Sequence, residues 1–295
     1  MPIAAVILVL ISCLLHAVWN LLLKQARDKM AFTALYLLAS SVIYFPLFLW
    51  QLPNAHIPPA GWACILGTGL LYVGYFRGLA VVYSKGELSI AYPIMRGLGP
   101  MLVLVGGMAL MSERPSAAGL AGISVIMASL IALQKISGMQ EGRLADSSKR
   151  GQSTMAAALF VGVVYSLYSM VDKVAVGQLQ IPPPIYLYLT YAVSSIFVLP
   201  SVVLTSGWSA IKDEWAANKR ASVAVGGLSV FSYLLVLYAM SLPGAPVSYI
   251  TPLRTTSVLF GMLLGAVVLN EGRLAPKLAA GALMMCGITL IAWKG

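Results

Sequence analysis

Residues 244–254 read Gly-Ala-Pro-Val-Ser-Tyr-Ile-Thr-Pro-Leu-Arg, and residues 86–96 read Gly-Glu-Leu-Ser-Ile-Ala-Tyr-Pro-Ile-Met-Arg. Each opens on a glycine, passes a proline and carries an arginine into a long apolar run. A shift of 158 positions lays Gly86 on Gly244 and Arg96 on Arg254, then Gly107 on Gly265 and Glu113 on Glu271. Leu120, Ala121 and Met127 fall likewise on Leu278, Ala279 and Met285. Shared leucines and alanines mean little in so apolar a chain. Two arginines inside apolar runs and two acidic turn residues at one offset mean more, and the chain reads as an internal repeat.

Hydrophobic residues are 60% of the 295 and charged residues only 9%, with a mean hydropathy of +0.89. A soluble domain carries about a quarter charged residues, so there is too little polar surface here to coat a water-facing globule. A bilayer-spanning helix needs roughly 20 apolar residues. Such runs fall at 3–23, 31–50, 61–83, 88–111, 117–135, 153–173, 184–206, 222–241, 245–269 and 275–293. The alternating ten-residue segments of a membrane barrel are absent. The expected fold is an all-α integral membrane protein of ten transmembrane helices. It divides into a first repeat at 1–137, a polar linker at 138–152 and a second repeat at 153–295. With five helices in each half, the second half enters the membrane in inverted topology.

The net charge of +10 is spread over short loops, which argues for orientation signals and against nucleic acid. Odd-numbered loops and their helix ends hold most of the basic residues, among them Lys24, Arg27, Lys29, Lys85, Lys149, Lys212 and Lys219. Even-numbered loops and the termini hold only Arg114, Lys173 and Lys294. By the positive-inside rule the odd loops are cytoplasmic and both termini face out. Cys13, Cys64 and Cys286 lie in apolar runs without paired spacing and read as small hydrophobes. The apolar run from Pro2 has no basic segment before it and reads as a retained first helix.

On the stretch Gly86-Glu-Leu-Ser-Ile-Ala-Tyr-Pro-Ile before Pro100 and Glu113, and on Gly244-Ala-Pro-Val-Ser-Tyr-Ile-Thr-Pro-Leu before Glu271, the sequence resembles the drug/metabolite transporter superfamily. More narrowly, it is similar to proteins with two EamA-type domains. That resemblance implies a ten-helix inverted-repeat carrier with a central cavity, moving small metabolites by alternating access. Neutral residues are common in the family's fourth and ninth helices, where this chain has Arg96 and Arg254.

A charge at the centre of a spanning helix costs roughly 2.5–3.5 kcal/mol, so Arg96 and Arg254 are expected to repay it in binding or in packing. Each follows a helix breaker, Pro93 or Pro252, which frees backbone groups and supplies a hinge. Tyr92 stands one turn before Arg96, and Tyr249 and Thr251 stand just before Arg254. A guanidinium beside a phenol suits a carboxylate or phosphate. The competing reading pairs the arginines with backbone carbonyls or with Glu87, Glu113 or Glu271. Arg77, without a counterpart at the repeat offset, reads as structural or as snorkelling to the interface.

In the first helix His16 and Asn20 share a face, with Trp19 beside them. Tyr165, Tyr168 and Ser169 hold comparable places in the sixth helix when Lys24 is matched with Lys173. Together they predict a polar-aromatic stripe in each half, facing a central cavity. His16 either titrates near neutral pH or makes an interhelical hydrogen bond. No Asp or Glu falls mid-run; Asp172 stands near the end of the sixth. That favours facilitated export or exchange over proton coupling, with His16 the only relay candidate. Gly74 with Gly78, and Gly261 with Gly265, have the small-residue spacing of close helix packing.

The expected function is a secondary transporter, an exporter or exchanger, of small polar metabolites such as amino acids or organic anions, in the inner membrane. No cofactor or metal is expected. The expected partners are a small-molecule substrate and membrane lipid, not nucleic acid, and one chain is expected to suffice as a monomer. The alternative is a lipid-headgroup flippase. An intramembrane lipid-modifying enzyme would need paired carboxylates, a metal-ligand cluster or an activated nucleophile, none of which the sequence offers.

Overall fold

The structure, a computed structural model, describes residues 1–84, 88–141, 149–268 and 274–294, with side chains except at 54, 83–96, 133–154, 265–277 and 294. Glu87 and Glu271 lie outside the described residues, as do 142–148 of the expected linker. Of Arg96, Tyr92 and Pro93 only the backbone is described.

All the described secondary structure is helical. The helices are α1 (Ile3–Lys24), α2 (Lys29–Gln51), α3 (Pro59–Ser84), α4 (Leu88–Leu110), α5 (Ala117–Glu141), α6 (Lys149–Lys173), α7 (Pro183–Ser241), α8 (Val247–Arg254), α9 (Thr256–Val268) and α10 (Leu274–Lys294). Every expected apolar run therefore falls on helix. Five helices are, among the described residues, long and apolar enough to cross a membrane.

Three departures from the expected runs have local causes. The seventh and eighth runs share the 59-residue α7, which is broken at Gly207, at φ +79°, and again at Asn218. Positive φ costs glycine nothing, so the first apolar run ends there and a short surface segment separates it from the second. In that segment Ile211 and Glu214 turn inward, while Trp208, Lys212 and Trp215 are exposed. The ninth run is split into α8 and α9 at Thr255. Pro252 has no N–H to give the Ser248 carbonyl one turn back, and at the break side chains join the backbone as donors. Thr255 Oγ1 donates to the Pro252 oxygen at 2.6 Å, and Cys13 Sγ donates to the Leu253 oxygen at 3.5 Å. α6 does not stop at its run but continues as a π-helical turn, Val174–Gln178. α5 and α6 also extend to Glu141 and Lys149, into the stretch read as a linker.

α1 packs on α7 and α9, α6 packs on α3 and α4, α2 lies along α7, and α5 lies along α10. Contacts recur in matched pairs. Ser40 Oγ donates to the Gly226 oxygen at 2.9 Å, and Ser194 Oγ to the Gly69 oxygen at 3.0 Å. Each serine shares that one hydrogen with the carbonyl four residues before it in its own helix, Tyr36 and Thr190. A Cβ on Gly226 would meet the Tyr36 oxygen at 3.0 Å, and one on Gly69 the Thr190 oxygen at 3.2 Å. An offset of 154 carries Tyr36, Ser40 and Pro46 onto Thr190, Ser194 and Pro200, both prolines lying inside helices. Along α5 and α10, Gly122 faces Gly287 and Ser129 faces Ala280, so these helices run antiparallel.

The glycines divide by environment. Gly74 and Gly78 lie against Phe160 and Val161 and let α3 approach α6. Among the described residues nothing lies within 4 Å of a Cβ on Gly261, and the side-chain environment of Gly265 lies outside them. Trp50, Trp62, Trp208, Trp215 and Trp293 are exposed near ends of apolar segments, the belt positions of tryptophan in membranes. Arg77 is also exposed, which suits snorkelling.

Candidate functional site

On α6, Tyr165, Tyr168, Ser169 and Asp172 recur at i, i+3, i+4 and i+7, so they share one face. All four are buried. The stripe expected on this helix therefore ends in an acid. Continuation of the helix through the π-turn puts Asp172 inside the apolar span Met155–Gln178 rather than at its end. Asp172 thus stands near the end of α6, as expected, and the π-turn carries the apolar span beyond it to Gln178. π-turns break the regular ladder and recur at functional positions.

Asp172 and its partners Thr68 and Tyr186 are fully buried. Asp172 Oδ1 accepts from Tyr186 OH at 2.7 Å and lies 3.1 Å from Thr68 Oγ1. Its Oδ2 accepts from the hydroxyl of Tyr233. A buried carboxylate without donors carries a large desolvation cost; here α3 and both halves of α7 supply them.

Arg254 ends α8 at the helix break. Its Cζ lies 4.7 Å from the ring centroid of Tyr233 and 5.5 Å from that of Tyr165, and its Nη1 is 3.5 Å from Tyr165 OH. The last distance is at the limit of a hydrogen bond. The ring contacts hold the charge better, each worth about 0.5–2 kcal/mol according to desolvation. Tyr233 thus touches both ionisable groups: its hydroxyl meets the acid and its face meets the base.

Aromatic rings carry this centre across the bundle. Tyr72 sits edge-on to Tyr168 at 4.9 Å, to Tyr191 at 5.8 Å and to Tyr233 at 6.1 Å. Phe76 continues to Tyr36 at 6.1 Å, Tyr36 to Trp19 at 6.5 Å, and Trp19 to His16 at 4.6 Å. The stripe of α1 and the stripe of α6 are therefore two ends of one cluster. Among the described residues, Trp19 Nε1 and Ser169 Oγ are buried without a hydrogen-bond partner. An unmade buried hydrogen bond costs about 1–3 kcal/mol, so both are available to a polar guest.

Other predicted residues turn elsewhere. Asn20 Nδ2 donates to the His16 carbonyl at 2.8 Å, and Thr251 Oγ1 to the Val247 carbonyl at 3.0 Å, each within its own helix. Tyr249 faces away from Arg254, its hydroxyl accepting from Ser116 N at 2.8 Å. Among the described residues Glu113 pairs with no arginine. Its carboxylate accepts from Val247 N at 2.8 Å and Ser248 N at 3.0 Å, at the positive end of α8. Lys173 Nζ donates to the Met240 and Ala245 carbonyls at 2.7 and 2.8 Å. Glu113, Ser116, Lys173 and Tyr249 line a cavity of about 470 Å³, together with Arg114 and Gln178. That volume is in the range of small-molecule sites.

Sequence reasoning missed Asp172, Tyr233, Tyr72 and Tyr186 as members of this centre. The acid was legible from its spacing to Tyr165, Tyr168 and Ser169; the three tyrosines lie in apolar runs with no local signal.

No curated protein matches this chain. One solved crystal structure superposes with a TM-score of 0.77 at 18% identity, over 98% of this chain and 96% of that one; at that identity the likeness is one of fold. Residues 152–293 match the EamA-like transporter family, so the second half of the chain carries a domain of that family, which points to a multi-pass membrane transporter of the drug/metabolite type.

Proposed function

We propose that the protein is a secondary carrier for small metabolites bearing a carboxylate or phosphate, working by alternating access at the inner membrane. The observation that carries this reading is Arg254: a half-buried guanidinium at a helix break, held by tyrosine faces, beside a buried acid. Among the described residues rings are its main contacts, which leaves planar donors for an oxyanion. Broken helices that present charge to a central site are a recurring device of secondary carriers.

In this reading the ten apolar runs are ten spans in two inverted repeats, 1–137 and 153–295, around the 138–152 linker. The matched Ser40–Gly226 and Ser194–Gly69 bonds and the antiparallel α5–α10 pair support a two-fold relation between the halves. Arg96 is the repeat counterpart of Arg254 and the second candidate for substrate contact, with Tyr92 beside it. His16, Trp19, Tyr165, Tyr168 and Ser169 face a central substrate path between the halves, and Pro93 and Pro252 hinge it. Both termini face out, and the functional unit is one chain.

Counterflow in proteoliposomes tests the reading. Vesicles preloaded with a mixture of amino acids, dicarboxylates and sugar phosphates are challenged with labelled external copies, with Arg254→Gln beside the wild type. Exchange of the anionic members, reduced at least about tenfold in the variant, is expected. Scrambling of a labelled phospholipid with no soluble exchange would move the reading to a flippase.

A further inference from the structure

Three oxygens on separate elements form a triangle in the interior: Asp172 Oδ1, Tyr186 OH and Thr68 Oγ1. Its edges are 2.7 Å from Asp172 to Tyr186, 2.7 Å from Tyr186 to Thr68, and 3.1 Å from Thr68 to Asp172. Each hydroxyl brings one hydrogen. With the carboxyl ionised, two hydrogens serve three edges, so one edge is left without. A proton on Oδ1 supplies the third hydrogen and closes the ring. Tyr233 serves Oδ2 in either state. The site is built to hold Asp172 with or without its proton, and no side chain needs to move between the two.

The surrounding charges decide when the proton is wanted. From α3 come Tyr72 and the thiol of Cys64, from α6 Tyr168, from α7 Tyr191, and from α8 Arg254. Lys173, next in sequence, turns its ammonium to the Met240 and Ala245 carbonyls. Among the described residues, Arg254, across the ring of Tyr233, is the cation that balances an ionised Asp172. An anion arriving at Arg254 leaves two negative charges against that one positive in a poorly hydrated interior, where imbalance is costly. One proton on Asp172 restores the balance. Resting on the carrier reading above, we propose that Asp172 is a proton-coupling site and that an anionic substrate and a proton cross together, in the same direction.

Two measurements test this. In the first, proteoliposomes enclosing a pH-sensitive dye receive an equimolar mixture of amino acids, succinate, citrate and inorganic phosphate; internal pH and internal metabolites are followed together. Internal acidification that tracks anion entry is expected. Asp172→Asn should cut protons moved per anion by at least about tenfold whatever its residual rate, and Asp172→Glu should restore the ratio. Anion entry without proton entry, or with proton exit, overturns the coupling and leaves the carrier reading standing. No entry of any metabolite overturns the carrier reading, and this inference falls with it. The second needs no substrate: infrared difference spectra of the purified protein between about pH 4 and 9. A carboxyl band present in wild type and missing in Asp172→Asn is expected, and identical spectra overturn the assignment. Should Asp172→Asn fail to fold, the same comparison is made with Thr68→Val and Tyr186→Phe, which remove the triangle's hydrogens and should shift that band; a band that neither variant shifts contradicts the proposal.

Discussion

Asp172 and Arg254 are joined through one ring: Tyr233 gives its hydroxyl to the acid and lies 4.7 Å beneath the guanidinium. The two groups come from α6 and α8, so the arrangement depends on tertiary packing and makes each side chain sensitive to the other.

Removing the hydroxyl and removing the ring should have different effects. Tyr233→Phe keeps the face under Arg254 and leaves Asp172 short of a donor, at a cost of about 1–3 kcal/mol. Tyr233→Ala adds the loss of the ring and should cost about 3–5 kcal/mol. A thermal melting series in detergent distinguishes them. A double-mutant cycle of Tyr233→Phe with Asp172→Asn should show coupling of about 0.5–3 kcal/mol; additive effects would mean that the bond contributes nothing.

Helix contact through glycine predicts a contrast between two sites. Gly226→Ala places a Cβ 3.0 Å from the Tyr36 oxygen and 2.8 Å from Ala39 Cβ and should cost about 1–3 kcal/mol. Gly261→Ala meets open space and should be neutral or stabilising by up to about 1 kcal/mol, since alanine favours helix. Melting temperatures that rank the two the other way would reject this packing of α2 on α7.

Glu113 should behave as a helix cap. Glu113→Ala leaves two backbone donors of α8 unpaired, and Glu113→Gln keeps acceptor capacity without the charge. Losses of about 1–3 and 0.5–1 kcal/mol are expected in that order. Equal losses would point to a purely electrostatic role.

Movement between α1 and α7 is open to a crosslinking test. Ser12 Oγ and Ser232 Oγ lie 3.2 Å apart, so cysteines there are placed to bridge. In a background with Cys13 replaced by serine, oxidation of Ser12→Cys/Ser232→Cys should cut exchange to below about a tenth, and reductant should restore it. Full exchange by the bridged protein would mean that α1 and α7 move as one body during transport.

Much of the fold was legible because hydropathy alone places a helix wherever lipid is the solvent, and each apolar run lies on helix. The register of the repeat was only half legible. The 158 offset holds for Gly122 and Ser129 against Ala280 and Gly287, while α2 matches α7 at 154, so Ser40, Ser194, Pro46 and Pro200 did not line up. Loops of unequal length reset the register between helices that pack alike. At the site, Arg254, Tyr165, Tyr168 and Ser169 converge. Tyr249 and Thr251 precede Arg254 on the chain yet bond to Ser116 N and to α8's own backbone. Lys173 ends the sixth apolar run by charge, but Val174, Ala175 and Val176 carry the helix past it as a π-turn.

The most direct measurement is thermal stabilisation of the purified protein by a panel of amino acids, organic acids, phosphates and amines, with Arg254→Gln in parallel. A ligand at about a hundred times its dissociation constant adds about 2.7 kcal/mol, a readily measured rise in Tm. Stabilisation by carboxylates or phosphates, lost in a folded Arg254→Gln, is the expected result. Equal stabilisation of both proteins by neutral or cationic ligands would show that Arg254 is scaffolding and contradict an anion site.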